Sequence, residues 1–440
     1  MKRILFTISL ALLAGYSVAQ ETLSLGQCLQ MGIDRNLDLK TYEGNVLKGK
    51  HNVSENRSRL LPQINIGAGL NDNFTPPVSV TDGSAYGKSY NVTKTLQYNS
   101  SASIQLQMPL YSQTALTALN ISKTLDQLNT LSYAKAKEDL IVQISKMYYL
   151  AQNTEEQIGI IKDNIKRLEE LRDITQAFHD NDMALGVDVK RVNVNLENLS
   201  VQYDNAKAML IQQYNMLKYV IDYPADKEIA VEKANIEQID MAALSGLNEN
   251  LNELQLLRTQ QTLAEQQKKL AKDGYLPTLA LTGNWTYSAF TDKIENWFHS
   301  GESNHWYKSN GIGISLRIPV FDGFEKRSKI RKAQVDVDNA KLQYENALKG
   351  MQTQYANAVN DLANNQRNFS KQRDNYLLAE DVYKVTSDRY REGIASMTEV
   401  LQDEMSMSDA QNNYLTAHFN YQVSNLTLLK LTGQLEKLIK

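Results

Sequence analysis

The residues able to do chemistry in this 440-residue chain are few and scattered. Its five histidines are His51, His179, His299, His305 and His418, and no two have a helical spacing that would hold a metal on one face. His299 and His305 share a stretch with Trp297 and Trp306, but no cysteine stands nearby to complete a zinc set, and a surface loop accounts for them. Cys28 is the only cysteine, so there is no internal disulfide and no cysteine metal cluster. Gln27 occupies the place where a lipoprotein signal needs a small residue, and Cys28 reads as a small apolar residue on a helix. There is no glycine-rich phosphate loop and no nucleophile elbow. The chain is therefore expected not to be an enzyme and to hold no metal and no cofactor. With 47 Lys and Arg against 50 Asp and Glu, it has no electrostatic case for nucleic acid. What remains is the chemistry of surfaces, which depends on the elements that display them.

The N-terminus carries a secretory signal. Lys2 and Arg3 precede an apolar run from Ile4 to Ala14, and Ser17-Val18-Ala19 is a small-x-small site that sets cleavage near Ala19-Gln20. Removing Lys2 and Arg3 leaves 45 bases against 50 acids, a net of −5. No later stretch reaches the ~18 consecutive apolar residues of a transmembrane helix, so any crossing of a membrane must use strands. Ser24 and Gln27 form a capping box that starts a helix running to about Leu60, where Leu61-Pro62 stops it. The period then changes. Residues 63–71 and 101–110 alternate polar and apolar, and residues 74–96 between them read as a loop rich in Pro, Ser, Gly, Asn and Thr. From Tyr111 to Tyr219 there is no proline, and a turn lies near residues 181–187, which predicts a long helical hairpin. A second set follows: a helix over 247–272, strands at about 278–289 and 311–320 around a loop at 290–309, and a second hairpin turning near 391–397. The arm from Phe324 to Tyr390 would be about 100 Å long.

The two sets share fixed offsets. Leu61-Pro62 maps to Leu276-Pro277, Pro109 to Pro319, and Asp188 to Glu399, at separations of 215, 210 and 211 residues. An internal duplication is therefore expected, with repeats at 20–219 and 247–440 and a linker at 220–246. Along the strands, Ile64, Ile66, Leu70, Ile104, Leu106, Leu279, Leu281, Ile312, Ile314, Leu316 and Ile318 form one apolar face. The other face holds Asn, Gln, Ser, Gly and Arg317. That is the pattern of an outer-membrane barrel with its apolar face to lipid, although a small soluble sheet lying on a core would share it. Four strands cannot close a barrel, and an open edge in lipid costs several kcal/mol per unpaired group, so a membrane reading requires oligomerisation. Tyr111, Tyr275, Tyr287 and Trp285 near the strand ends suit an interfacial girdle. The expected fold class is an α+β membrane protein, a β-barrel continued by long helical hairpins. A rod-like coiled coil fits the helices equally well.

In order and in duplicate, these parts resemble the TolC-like outer-membrane efflux protein family over essentially the whole mature chain. The specific parts are Leu60-Leu61-Pro62-Gln63 opening a strand, Met108-Pro109-Leu110-Tyr111 and Ile318-Pro319-Val320-Phe321-Asp322-Gly323 closing strands, and the two hairpin turns. The resemblance implies a homotrimer with a β-barrel in the outer membrane and a helical tube in the periplasm. It implies a passive exit duct for small molecules, served by a periplasmic adaptor protein and an inner-membrane transporter. A type I protein-secretion duct is the alternative within transport, and a secreted or periplasmic coiled-coil structural protein the alternative outside it. Carried over residue by residue, the adaptor would dock on Ala184, Leu185, Gly186, Val187 and Asp188 and on Gly393, Ile394, Ala395, Ser396 and Met397. Some members narrow the pore with two acidic residues one turn apart. Glu399 matches the first, while Gln402 stands at the second with Asp403 beside it. A ring of Glu399 side chains would attract cations. The same carboxylate equally suits a solvated helix start.

Overall fold

The computed structural model describes residues 21–233, 246–297 and 305–439. The signal at 1–19, the middle of the 220–246 linker and part of the 290–309 loop lie outside the described residues. The chain forms two compact units. One is Met1–Gly44, Leu131–Leu256 and Glu345–Lys440, here the helical unit; the other is Asn45–Thr130 and Leu257–Tyr344, the sheet unit.

The elements come in matched sets. The first contains β1 (Glu21–Leu23), α1 (Leu25–Arg35), α2 (Leu37–Ser58), β2 (Gln63–Asp72), β3 (Val78–Asp82), β4 (Tyr90–Lys94), β5 (Tyr98–Tyr111), α3 (Gln113–Asp180) and α4 (Gly186–Ile221). The second, after β6 (Ile229–Val231), contains α5 (Asn252–Asp273), β7 (Thr278–Thr291), β8 (Trp306–Arg317), α6 (Glu325–Arg391) and α7 (Met397–Thr432). Helices α2 and α5 have 22 residues each, α3 and α6 have 68 and 67, and α4 and α7 have 36 each. Their ends match too. Asp182 and Gly393 adopt left-handed backbone after the long helices (φ 61° and 74°), as Asp222 and Gly433 do after the short ones (φ 51° and 70°). In the turns, the Met183 N–H donates to the Phe178 carbonyl at 2.8 Å and the Ile394 N–H to the Arg389 carbonyl at 2.9 Å. These bonds satisfy carbonyls that a helix end would otherwise leave open. Each such pair is 211 residues apart. The first repeat uses Asp where the second uses Gly, because a short polar side chain tolerates left-handed backbone where most residues do not.

Three local expectations are corrected. The helix expected from Ser24 to about Leu60 is two helices, α1 and α2. Asn36 breaks it: its side-chain Oδ1 accepts from the Leu39 N–H at 2.9 Å, and its Nδ2 donates to the Val220 carbonyl at 2.8 Å. An Asn that caps the next helix while bonding across to another competes with continued helix. The 74–96 loop contains a hairpin, β3 paired antiparallel to β4 with Val80 opposite Val92. The fourth strand ends at Arg317, short of Pro319, and extends instead to Trp306, opposite Ala289. Ile318 therefore lies beyond the strand, where the restriction imposed by the following proline turns the chain out of the ladder.

The helical unit has two apolar clusters. One gathers Cys28, Leu29, Ile144, Leu217, Ile221 and Leu426. The other gathers Leu168, Leu171, Val192, Tyr390, Val400 and Met407. Beside the first, β1 and β6 pair in parallel. The Tyr148 hydroxyl donates to the Leu23 carbonyl and accepts from the Glu232 N–H, both at 3.0 Å. Cys28 is fully buried, and burial pushes its thiol up to about 12, so it serves as a packing residue.

Candidate functional site

The sheet unit carries a two-faced surface. Its four strands run in the order β2-β5-β7-β8, all antiparallel. Register places the apolar side chains in rows. Ile64, Leu106, Gly283 and Ile312 form one, and Ile66, Ile104 and Trp285 the next. Leu281 pairs with Ile314, and Leu279 with Leu316. Ile66 is 80% and Ile312 71% exposed, so none of the described residues covers this face. Gly283 leaves room for a neighbour on it: a Cβ there would lie 2.9 Å from the Trp285 ring. The rows between are polar: Gln63, Gln107 and Thr282; then Asn65, Gln105 and Asn284; then Gly67, Ser103 and Thr286. Ser103, Gln105, Thr282 and Asn284 line a groove of about 660 Å³ on that side. Of the residues expected to face lipid, ten lie in these strands and Ile318 lies just past them. Leu70 pairs with Ser100, at the far end of the band.

The helical unit carries the two hairpin tips. At the first, the chain is held by the His179 ring, whose Nδ1 lies 3.1 Å from the Ala184 carbonyl, and by an ion pair of Asp188 with Arg191 at 3.1 Å. Leu185 and Val187 are exposed, while Ala184, Gly186 and Asp188 are half-buried. At the second, Gly393, Ile394 and Ser396 are exposed and Ala395 is half-buried. Met397 is 3% exposed and belongs to the core. Glu399 is exposed and closes a capping box. Its N–H donates to Ser396 Oγ at 3.3 Å, and the Ser396 N–H donates to Glu399 Oε2 at 3.1 Å. Gln402 is exposed and Asp403 half-buried.

Behind this tip lies a seam that the sequence reading missed. The buried face of α7 repeats every seven residues: Val400, Met407, Tyr414 and Tyr421 on one line, Met397, Glu404, Gln411 and His418 on the other. Such a repeat marks a coiled-coil seam, where an isolated polar residue fixes register at some cost in stability. Each polar member has a neighbour from α3. Gln411 Oε1 accepts from Asn164 Nδ2 at 2.8 Å, and Asn164 Oδ1 in turn accepts from Arg167. His418 Nδ1 lies 3.5 Å from Glu156 Oε2, and the Tyr414 hydroxyl donates to Glu156 Oε1 at 3.2 Å. Phe369 stacks on Tyr421 at 5.7 Å and lies 5.2 Å from His418. Burial raises the Glu404 carboxyl above the ordinary glutamate range, opposed by the Arg167 charge. The seven-residue spacing of Glu404, Gln411 and His418 was the available signal.

The geometry matches known proteins. The profile of the family "Outer membrane efflux protein" matches residues 28–221 and 243–434, once per repeat. The outer membrane protein TolC of Salmonella enteritidis is 22% identical over 99% of this chain and 87% of its own. The probable efflux pump outer membrane protein TtgC of Pseudomonas putida is 20% identical over 93% of this chain and 83% of its own. Among solved structures, the outer membrane protein VceC of Vibrio cholerae aligns with a TM-score of 0.76 at 14% identity, covering 93% of this chain and 96% of that one. The Campylobacter jejuni CmeC outer membrane channel aligns at 0.74 and 18%, covering 93% and 85%. The duplicated α+β architecture is the one these channels share, and neither the soluble-sheet nor the rod reading survives the match. The chain belongs to the outer membrane efflux protein family and is an outer-membrane exit duct of the kind used by tripartite efflux systems.

Proposed function

We propose that the chain works as a homotrimer, passively carrying small molecules out through a lumen lined by the polar face of the sheet. The observation that carries this is a four-stranded sheet with one apolar face, one polar face and two edges, β2 and β8, that no other described strand pairs. Because the strands alternate in direction, β8 of one copy would pair antiparallel with β2 of the next. Head-to-tail contacts of this kind close into a ring. Closure satisfies the edge amides and carbonyls that lipid cannot. Three copies of the four-stranded sheet give a barrel of twelve strands. Relatives named for toluene and antibiotic efflux support small molecules as cargo over secreted proteins. The exposed tip residues Leu185, Val187, Gly393, Ile394 and Ser396 suit a periplasmic adaptor protein that joins the duct to an inner-membrane transporter. The repeats at 20–219 and 247–440, joined by a linker at 220–246, each supply two strands and one hairpin.

Glu399 would form the narrowing ring. The test is single-channel conductance in a planar bilayer, with the oligomer mass measured in detergent, for the unaltered protein, Glu399→Gln and Glu399→Ala. Glutamine serves the capping box as glutamate does but removes the charge. A trimer whose cation block falls equally in both variants supports the ring. Block that falls only in Glu399→Ala assigns the residue to capping alone, and a protein with no conductance sinks the duct reading.

A further inference from the structure

The end of the sheet that joins the helices concentrates positive charge in a mildly acidic chain. Residues 317–332 hold six bases, among them Arg327, Arg331 and Lys332, against two acids, Asp322 and Glu325. Pairing of Gln63 with Gln107 and of Arg317 with Thr278 brings the ends of α2 and α5 and the start of α6 to this same end of the sheet. Helix α2 finishes with Arg57 followed by Arg59, and α5 with Lys269 and Lys272. Lys326 Nζ lies 5.4 Å from the centroid of the Tyr275 ring at the end of α5, and Lys268 donates to Gln334 on α6.

Bases in the first turns of α6 sit against its dipole, which favours anions there. Two of them have carboxylate partners: Lys326 with Asp322 at 3.1 Å and Lys329 with Glu325 at 2.6 Å. Arg327, Arg331 and Lys332 are exposed and have no carboxylate within 4.0 Å among the described residues. Beside them runs a bare apolar belt. Val320 is 92% exposed, Phe321 76% and Phe324 63%, with the Phe321 and Phe324 rings edge-to-face at 5.6 Å. Leu61, Tyr111 and Tyr275 are exposed at the same end. Aromatic side chains next to unpaired cations match the boundary of an anionic bilayer, where rings sit at headgroup depth and cations meet phosphate.

We propose that this end of the sheet is a collar that binds the phosphate headgroups of anionic phospholipid. The proposal rests on the sheet being the membrane-spanning part. The test uses the full mature chain and vesicles of phosphatidylcholine, with and without roughly 30 mol% phosphatidylglycerol. Insertion is read by flotation and protease protection. The expected result is insertion into both, with preference for the anionic vesicles of roughly fivefold per engaged base. The preference should fade at ~0.5 M salt, where exposed charges are screened. The triple variant Arg327→Gln, Arg331→Gln, Lys332→Gln should still insert into phosphatidylcholine and lose at least about tenfold of the preference. The control Lys162→Gln, Lys166→Gln, Lys384→Gln in the hairpins should keep it. Insertion without preference, a triple variant that retains it, or a control that loses as much overturns the collar and leaves the membrane reading intact. Insertion into neither vesicle overturns that reading and the collar with it.

Discussion

A lysine placed at Ile104 or at Ser103 separates the two faces of the sheet at one depth. The residues are neighbours in β5, a single strand rise of about 3.3 Å apart. Ile104 sits mid-strand in the row with Ile66 and Trp285, and Ser103 in the row with Gly67 and Thr286. A lysine on the lipid face of a barrel near the bilayer midplane costs about 2–4 kcal/mol, whereas a lumen position tolerates charge. Ile104→Lys should therefore shift the folding equilibrium by roughly 30- to 900-fold per protomer, and Ser103→Lys by little. Urea-dependent folding into vesicles measures this. Tryptophan emission is a suitable signal because Trp285 is the cross-strand partner of Ile104, and heat-modifiable gel mobility gives a second readout. Equal penalties would refute the assignment of faces. A larger penalty for Ser103→Lys would mean that the polar rows face lipid or a packed core.

In the helical unit, Leu168 is fully buried in the cluster with Val400 and Met407. Leu168→Ala should cost about 2–5 kcal/mol, measured by thermal loss of helical signal, because the packed seam relaxes only partly into the space left. Glu404 predicts a pH dependence. Burial raises its folded-state pKa above the unfolded value, so the protonated form is favoured in the fold. Its contribution is fully present below the unfolded pKa and is lost as pH rises through the folded one. The unaltered hairpin should be less stable at pH ~8 than at pH ~5, and Glu404→Gln should flatten that slope and raise stability at the higher pH. A variant that loses stability at both values would show that the Arg167 interaction outweighs the burial cost.

Much of the architecture was legible because it is written in periods. The alternation in residues 63–71 has only one geometric meaning, a strand with two faces, and the register of β2 on β5 preserves it row by row. The long helices were legible from missing proline, and their stops from Asp182-Met183 and Gly393-Ile394, where the chain needs left-handed backbone. What failed was governed by single side chains or distant partners. Asn36 divides a helix whose flanking pattern is continuous, because one amide finds a better set of bonds in its own backbone and at Val220. The β3–β4 hairpin lies in a segment whose composition favours turns, and its strands are only five residues each.

The candidate site divides the same way. An apolar face follows from parity along a strand, so ten of its eleven expected residues lie in β2, β5, β7 and β8. The exception, Ile318, keeps the parity but meets Pro319. Glu399 was ambiguous for a physical reason: a carboxylate at the third position of a helix is favoured by the dipole and by Ser396 whether or not it meets copies of itself at a pore. Its neighbour in the seam is clearer. An exposed carboxylate needs no explanation, but Glu404 occupies a position that the Val400 and Met407 periodicity assigns to the core. A polar residue kept at such a position is tolerated only with partners, and Gln411 and His418, seven and fourteen residues on, meet Asn164 and Glu156 of α3. That repeat matches turns of α7 to turns of α3, since a slip in either direction would part Gln411 from Asn164 and His418 from Glu156. The polar line thus specifies the register in which the hairpin tip, with Glu399 at its start, is presented.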